Sequence, residues 1–276
     1  MTQQKKVALQ LLHRLEALLK HLAHRKRIRK ARSKNSFLSL SPTAAMTPTL
    51  HLVRHAQGFH NLNVANHIIH DPVLTPLGEE QCRTLAANFP YHDRVEAVVA
   101  SPMKRTIATA LLGFSQDLQR TGTKLICLPE VQETSDLPCD TGSSVEELRE
   151  FFAGKPVDFS LVAPDWNSKK GKFAAKERAI EARAREARRW LMRRLEKEVV
   201  VCGYLHYFTE DWADSNRFNG TGWANTEYRS YTFSSFEPEE AHLVETEESK
   251  ARRSGSGKAL DREERAQVLP EGVPKL

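Results

Sequence analysis

Short apolar runs recur along the chain from residue 49 onwards, and polar or helix-forming stretches separate them. Runs of this kind, rich in β-branched residues and bounded by turn residues, predict buried strands. The predicted strands are Thr49–Val53, 95–100, 124–128, Glu198–Cys202 and Tyr228–Phe233. The last of these alternates apolar and polar residues, which is typical of a strand at the edge of a sheet.

Helical patterns occupy the stretches between the predicted strands, at 75–88, 102–113, 143–152, 173–197 and 205–212. Thr75 and Pro76 are typical of an N-cap and a first helical residue. In the longest helix, one apolar face is formed by Ile180, Ala184, Ala187, Leu191 and Leu195. We interpret its many arginines as a solvated face paired with glutamates, in preference to a nucleic-acid surface. Strands alternating with helices predict a three-layer α/β/α sandwich around a mostly parallel central sheet.

Net positive charge is concentrated in the first 45 residues, which hold 11 Lys or Arg and one acidic residue, whereas the whole chain has a net charge of +6. Leu11, Leu15, Leu18 and Leu22 form an apolar helical stripe before the basic run. Such a leader is typical of a mitochondrial presequence, a membrane-surface helix or a nucleic-acid arm. We favour an appendage with Met46 as the natural start, because a strand begins three residues later. The predicted parts are therefore a leader (1–45), a domain (46–246) and a disordered charged tail (247–276).

Several functional classes find no support in the sequence. The cysteines Cys82, Cys127, Cys139 and Cys202 are scattered without a C-x-x-C pair, which argues for reduced thiols in an intracellular protein. No apolar run approaches the ~20 residues of a membrane-spanning helix. Neither a P-loop nor a Rossmann glycine pattern is present. We expect a cytoplasmic protein, or a mitochondrial one if the leader is a presequence, without a cofactor, a metal or a nucleic-acid partner.

The first predicted strand delivers Arg54 and His55 at its carboxyl end, where open α/β sheets bind their ligands. Neutral imidazole is a nucleophile near physiological pH, and guanidinium offers paired donors that match phosphate oxygens. The small residues Ala56 and Gly58 allow the chain to turn there. An Arg-His pair alone is more typical of an ordinary strand end with a structural histidine.

The second predicted strand ends in Ser101-Pro102 and places Arg105 in the first turn of the next helix. Backbone N–H groups and the helix dipole favour an anion at such a terminus. Two arginines and one imidazole at neighbouring strand ends predict a phosphoryl-transfer site. His60, His67 and His70 follow nearby, and we interpret them as loop or structural histidines, not metal ligands.

The segments LVRHAQGFHN, DPVLTPLGEEQ, SPMKRTIATA and LPEVQETSDLPCDTGS occur in the order typical of the histidine phosphatase (phosphoglycerate mutase-like) superfamily. With GYLHYFTEDW and GTGWANTEYRSYTF, the resemblance covers residues 48–236 and is strongest to the fungal members. It implies that His55 accepts the phosphoryl group and that Arg54 and Arg105 clamp it. It also implies that Glu133 exchanges protons with the leaving group and water, ahead of neighbouring Glu130. Gln57 and Asn61 match the polar residues of the phosphate pocket.

One departure from the family pattern concerns the end of the fourth predicted strand. Members of the superfamily carry a second histidine there, whereas this chain has Cys202-Gly203-Tyr204, as if a His-Gly pair were removed. His206 matches a different, non-catalytic histidine. The absence of one donor to the phosphoryl oxygens is expected to cost ~10²–10³ in rate.

The resemblance therefore implies a metal-independent phosphatase that acts on a small phosphomonoester through phosphohistidine and is slowed by the missing histidine. The alternative is a catalytically inactive pseudophosphatase that binds a phosphorylated ligand or partner. A phosphoglycerate mutase-type transfer is a weaker expectation, because no insert for holding a bisphosphate is recognisable.

Overall fold

The computed structural model describes most of the chain from residue 47 to residue 253. The described residues are 47–203, 205–209, 223–235, 237 and 241–253. The predicted leader and residues 254–276 of the predicted tail lie outside them. No helix in these ranges is both long and apolar enough to cross a bilayer.

A sheet of seven strands forms the centre of the described domain, in the order β4-β3-β2-β5-β1-β6-β7. The strands are β1 (Thr49–Val53), β2 (Ala97–Ala100), β3 (Leu125–Cys127), β4 (Val157–Asp158), β5 (Glu198–Cys202), β6 (Tyr228–Phe233) and β7 (Leu243–Glu245). Strands β1 to β5 are parallel to each other, β6 is antiparallel to β1, and β7 is antiparallel to β6. The predicted mostly parallel sheet is confirmed, although β6 lies one strand in from the edge because β7 covers it.

Helices cover both faces of the sheet. They are α1 (Pro76–Asn88), α2 (Lys104–Gly113), α3 (Ser115–Thr121), α4 (Val145–Phe151), α5 (Glu177–Met192), α6 (His206–Thr209) and α7 (Glu247–Arg253). Successive strand residues point to opposite faces. Val53 and Val200 belong to the core under α1 to α4. Leu52 and Val201 belong to a second core, which includes Ala187 and Leu191 of α5. The predicted three-layer sandwich is therefore confirmed.

Helix α5 is shorter than predicted and buries two of its arginines. Leu195, predicted on the apolar face, lies beyond the helix and is 96% exposed. Arg183 donates to the carbonyl of Gln132, and Arg188 donates to the carbonyl of Ala241, and both are buried. The prediction of a wholly solvated arginine face was wrong at these two positions, because distant main-chain carbonyls provide their acceptors.

The predicted disordered tail is wrong for its first residues, since Glu247–Arg253 forms α7. Thr246 caps the helix by accepting a hydrogen bond from the Ser249 amide. Ser249 is fully buried and its hydroxyl accepts from the amide of Ser230 in β6. Acidic residues in the first turn and arginines in the last also favour a helix here.

Asp71 connects the loop after β1 to two elements near the carboxyl edge of the sheet. Its Oδ1 accepts from the amide of Lys104, which begins α2, and its Oδ2 accepts from the buried amide of Ser143. We predict that Asp71→Asn lowers the free energy of unfolding by about 1–3 kcal/mol, because one amide loses its acceptor. Urea denaturation measures this, and Asp93→Asn at an exposed position is the control. Equal stability of the two variants would contradict the prediction.

Candidate active site

The carboxyl ends of the central parallel strands lie level with each other. Cys202 of β5 pairs in register with Val53 of β1 on one side and with Ala100 of β2 on the other. The residues that follow these positions therefore emerge at one edge of the sheet. This register brings the segment after β1 and the segment after β2 into the same place.

Hydrogen bonds fix the orientation of His55. Its Nδ1 lies 2.8 Å from the carbonyl oxygen of Ala56, so Nδ1 carries the proton and Nε2 keeps its lone pair. The Ala56 amide donates to Thr109 Oγ1 at 3.0 Å, and Asn225 Nδ2 donates to the His55 carbonyl at 2.9 Å. The loop that carries the imidazole is therefore held from both sides, with Nε2 available as a nucleophile.

His55 is 6% exposed, and this burial is the main cause of its pKa lying well below the usual value. The positive charges of Arg105 and Arg54 lower the pKa further. The imidazole therefore remains neutral at physiological pH, which a nitrogen nucleophile requires.

Arg105 is fully buried and binds two acidic side chains of the site. Its Nη1 donates to the carbonyl of Cys139 at 2.6 Å, and its Nη2 donates to Glu133 Oε1 at 2.8 Å and to Asp140 Oδ1 at 3.1 Å. Ser135 donates to the other oxygen of Asp140 at 2.6 Å. Asp140 thus helps to position the guanidinium.

Glu133 lies within reach of both His55 and Arg105. Its Oε1, bound to Arg105, is 3.8 Å from His55 Nε2. This carboxylate oxygen thus lies close to both the imidazole and the guanidinium. An oxygen of a bound phosphoryl group would have the same two neighbours. Glu130, in contrast, pairs with Lys172 at 2.5 Å.

The other three predicted site residues make contacts that shape the surrounding loop. Arg54 Nη1 donates to the carbonyl of Trp223. Gln57 Oε1 accepts from Thr75 Oγ1 at 2.8 Å, at the N-terminus of α1. Asn61 Oδ1 accepts from the amide of Gly58 at 3.0 Å. The structure brings His55, Arg105 and Glu133 into direct proximity. The phosphate-binding roles of Arg54, Gln57 and Asn61 remain predictions.

His60 lies beside His55, in the segment whose histidines the sequence analysis interpreted as loop or structural ones. Its ring centroid is 5.4 Å from that of His55, and the side chain is buried. Burial, with the charge of Arg105, lowers the pKa of His60 to about 3. Its Nε2 accepts from Asn61 Nδ2, which places the proton on Nδ1, and Nδ1 has no partner among the described residues. Arg105 Nε is likewise buried and has no hydrogen-bond partner among the described residues.

The end of β5 contains no histidine. Cys202 is buried in the core, and Gly203 passes so close to the loop after β3 that an added Cβ would lie 2.8 Å from the carbonyl oxygen of Val131. A side chain at position 203 therefore requires the backbone to move. Across the described residues, no group of three or more His, Cys, Asp or Glu side chains is arranged to hold a metal.

This sheet, with a histidine at the end of a central parallel strand, is typical of phosphoglycerate mutase-like α/β proteins. The model of the histidine phosphatase superfamily (branch 1) matches residues 50–243. The chain belongs to this superfamily, and the resemblance found in its sequence is confirmed.

Relatives with phosphatase and mutase names support the same membership. A phosphoglycerate mutase-like protein of Arabidopsis thaliana is 31% identical over 198 residues, which cover 57% of this chain and 72% of the relative. A probable phosphatase of Schizosaccharomyces pombe is 29% identical over 108 residues, covering 38% of this chain and 50% of the relative. The chain thus spans between half and about three quarters of these curated relatives.

Solved structures with a similar fold include a mycobacterial glucosyl-3-phosphoglycerate phosphatase, with a TM-score of 0.46 and 16% identity over 72% of this chain and 97% of the other. A phosphoglycerate mutase of Bacillus anthracis has a TM-score of 0.47 and 16% identity, over 73% and 93% of the two chains.

Proposed function

We propose that this chain hydrolyses phosphomonoesters through a phosphohistidine intermediate at His55. The observation that carries the proposal is the contact set of Glu133 Oε1, which lies 3.8 Å from His55 Nε2 and 2.8 Å from Arg105 Nη2. Phosphoryl transfer through a histidine uses a nucleophile, a cation and a carboxyl group, and these two contacts bring the three groups together.

The reaction proceeds in two steps. In the first, His55 Nε2 forms a bond to phosphorus while the bond from phosphorus to the ester oxygen breaks, and Glu133 donates a proton to that oxygen. In the second, water attacks phosphorus, Glu133 takes its proton, and the bond from Nε2 to phosphorus breaks. Arg105 and Arg54 neutralise the oxygens of the transferred group.

Charge supports the proton transfer by Glu133. In the structure, the Arg105 guanidinium holds the carboxylate. A phosphate dianion that binds Arg105 competes for the guanidinium and adds negative charge beside the carboxyl group. Both effects weaken the contact between Arg105 and the carboxyl group, which can then face the ester oxygen.

A rapid-quench experiment tests the proposal. The full chain is mixed with an isotope-labelled phosphomonoester and quenched, and the label on the protein is followed together with free phosphate. We expect label that is released by acid and stable in base, as phosphohistidine is, followed by stoichiometric free phosphate. Free phosphate without labelled protein, formed equally fast by a His55→Asn variant, contradicts the phosphohistidine course.

A catalytically inactive phosphate-binding protein is the second candidate, and the Cys202-Gly203 end of β5 favours it. This candidate predicts that vanadate or phosphate binds in an Arg105-dependent manner while neither labelled protein nor free phosphate forms. Phosphoglycerate mutase-type transfer predicts that label moves to a second alcohol and not to water. The quench experiment, together with the binding measurement, therefore separates the three candidate functions.

A further inference from the structure

Lys169 lies at the site but belongs to a loop that the catalytic proposal does not use. Its Nζ donates to the carbonyl oxygen of Glu133 at 3.1 Å. This glutamate is the residue whose carboxyl group lies 3.8 Å from His55 Nε2. The lysine ammonium thus contacts the main chain of the same residue whose carboxyl group faces His55.

The loop that carries Lys169 is anchored by the two residues Trp166 and Asn167, which precede the lysine. Trp166 is fully buried, and its carbonyl accepts from Gln132 Nε2 at 2.7 Å. Asn167 Nδ2 donates to the carbonyl of Gly142 at 2.8 Å. Lys169 itself has a φ of +52°, which a residue with a side chain rarely adopts. Such a conformation persists where the surroundings hold it, and it is common at ligand sites.

The ammonium group of Lys169 has spare hydrogen-bonding capacity. It carries three N–H donors, and the Glu133 carbonyl takes one of them while also accepting from Arg183 Nη2 at 3.3 Å. Among the described residues, no carboxylate oxygen lies within 4.0 Å of this Nζ. Two donors therefore remain for solvent or a ligand.

Lys169 is half-buried, and this burial, with the charge of Arg183, lowers its pKa to about 8. The carboxyl groups of Asp140 and Glu133 oppose that shift, and Arg105 adds to it. The lysine is consequently still mainly protonated at neutral pH. A partly desolvated cation without a paired carboxylate attracts an anion more strongly than a surface lysine does.

We propose that Lys169 binds an anionic substituent on the leaving alcohol, so that the preferred substrates are phosphomonoesters with a second anionic group, a carboxylate or a phosphate. The inference rests on the proposed function, because that function places Glu133 beside the ester oxygen. The alcohol then extends from the phosphoryl group towards the segment that Lys169 contacts. Lys169 is thereby a specificity-determining residue, while His55 and Arg105 hold the phosphoryl group common to all substrates.

Binding of matched phosphonates tests this inference without requiring turnover. Calorimetry compares 3-phosphonopropionate with its neutral amide, and 1,3-propanediphosphonate serves as the ligand with a second phosphoryl-type group. We expect the full chain to bind at least one of the two ligands that carry a second anionic group about tenfold more tightly than the amide, which carries only the phosphonate. Lys169→Met is expected to abolish that preference and to leave the affinity for the amide unchanged. Lys170→Met, at the exposed neighbouring position, is the matched control and is expected to keep the preference.

Each other outcome overturns the inference in a recognisable way. If the full chain binds all three phosphonates equally, Lys169 has no anion subsite, although the phosphoryl site stands. If Lys169→Met weakens binding of every ligand equally, the lysine only supports the Glu133 main chain. If no phosphonate binds, the phosphoryl site itself fails, and the subsite fails with it. The relative affinities for the carboxylate and the diphosphonate identify which anion the subsite accepts.

Discussion

Replacing His55 with asparagine is expected to lower phosphate release from p-nitrophenyl phosphate by on the order of 10³-fold or more, because the variant lacks a nucleophilic nitrogen. Asparagine is chosen because its Nδ2 can still donate to the Ala56 carbonyl, which His55 Nδ1 contacts at 2.8 Å. The loop conformation is therefore retained, and the change isolates Nε2. The measurement is kcat/KM, together with the labelled phosphoenzyme.

The control for this variant is His70→Asn, which alters an exposed histidine further along the same segment. It is expected to keep the activity of the original chain. Thermal unfolding of both variants verifies that they are folded. Equal activity of His55→Asn and the unaltered chain shows that the phosphoryl group is not carried by this imidazole, and the proposed course then fails.

The strands were predictable to the extent that continuous apolar runs determine them. Strands β1, β5 and β6 have the bounds that the sequence pattern predicts, because charged or turn-forming residues end each run. Strand β4 was not predicted, since Val157–Asp158 is too short to show a period. Helix α5 ends at Met192, before the predicted residue 197, because tertiary contacts end where Leu195 becomes exposed.

Buried charge was the least predictable part of the fold. The helical period of α5 separates an apolar face from a charged one, but it does not distinguish Arg183 and Arg188 from their exposed neighbours. Their acceptors belong to Gln132, Ala241 and Phe208, which are 20 to 53 positions away in sequence. Only the folded chain brings these carbonyls to the helix.

The candidate site was likewise predictable from the sequence only in part. His55 and Arg105 follow strand ends, so the rule that ligands bind at the carboxyl edge of a parallel sheet was enough to place them together. Lys169 lies on a loop 36 residues after Glu133, and no local pattern connects the two. Asp140 was likewise not singled out, although it holds Arg105, because an acidic residue in a loop is unremarkable in sequence.

Glu133→Gln is expected to affect substrates according to how much their leaving group needs a proton. For an alkyl phosphate, whose alkoxide leaves poorly, we predict a fall in kcat/KM of about 10²–10⁴-fold. For p-nitrophenyl phosphate we predict a much smaller fall, because p-nitrophenolate leaves without protonation. Glutamine keeps an oxygen for Arg105 Nη2, which Glu133 contacts at 2.8 Å, so the guanidinium retains an acceptor. Steady-state kinetics on the two substrates measure the difference.

Glu130→Gln is the matched control, since Glu130 lies three residues before Glu133 and pairs with Lys172 instead of Arg105. It is expected to slow neither substrate. The dependence on leaving group separates proton donation from charge balance, because removal of one negative charge beside Arg105 changes the binding of every phosphate ester alike. An equal fall for both substrates in Glu133→Gln therefore assigns the carboxylate to holding Arg105, and the proton must then come from another group or from water.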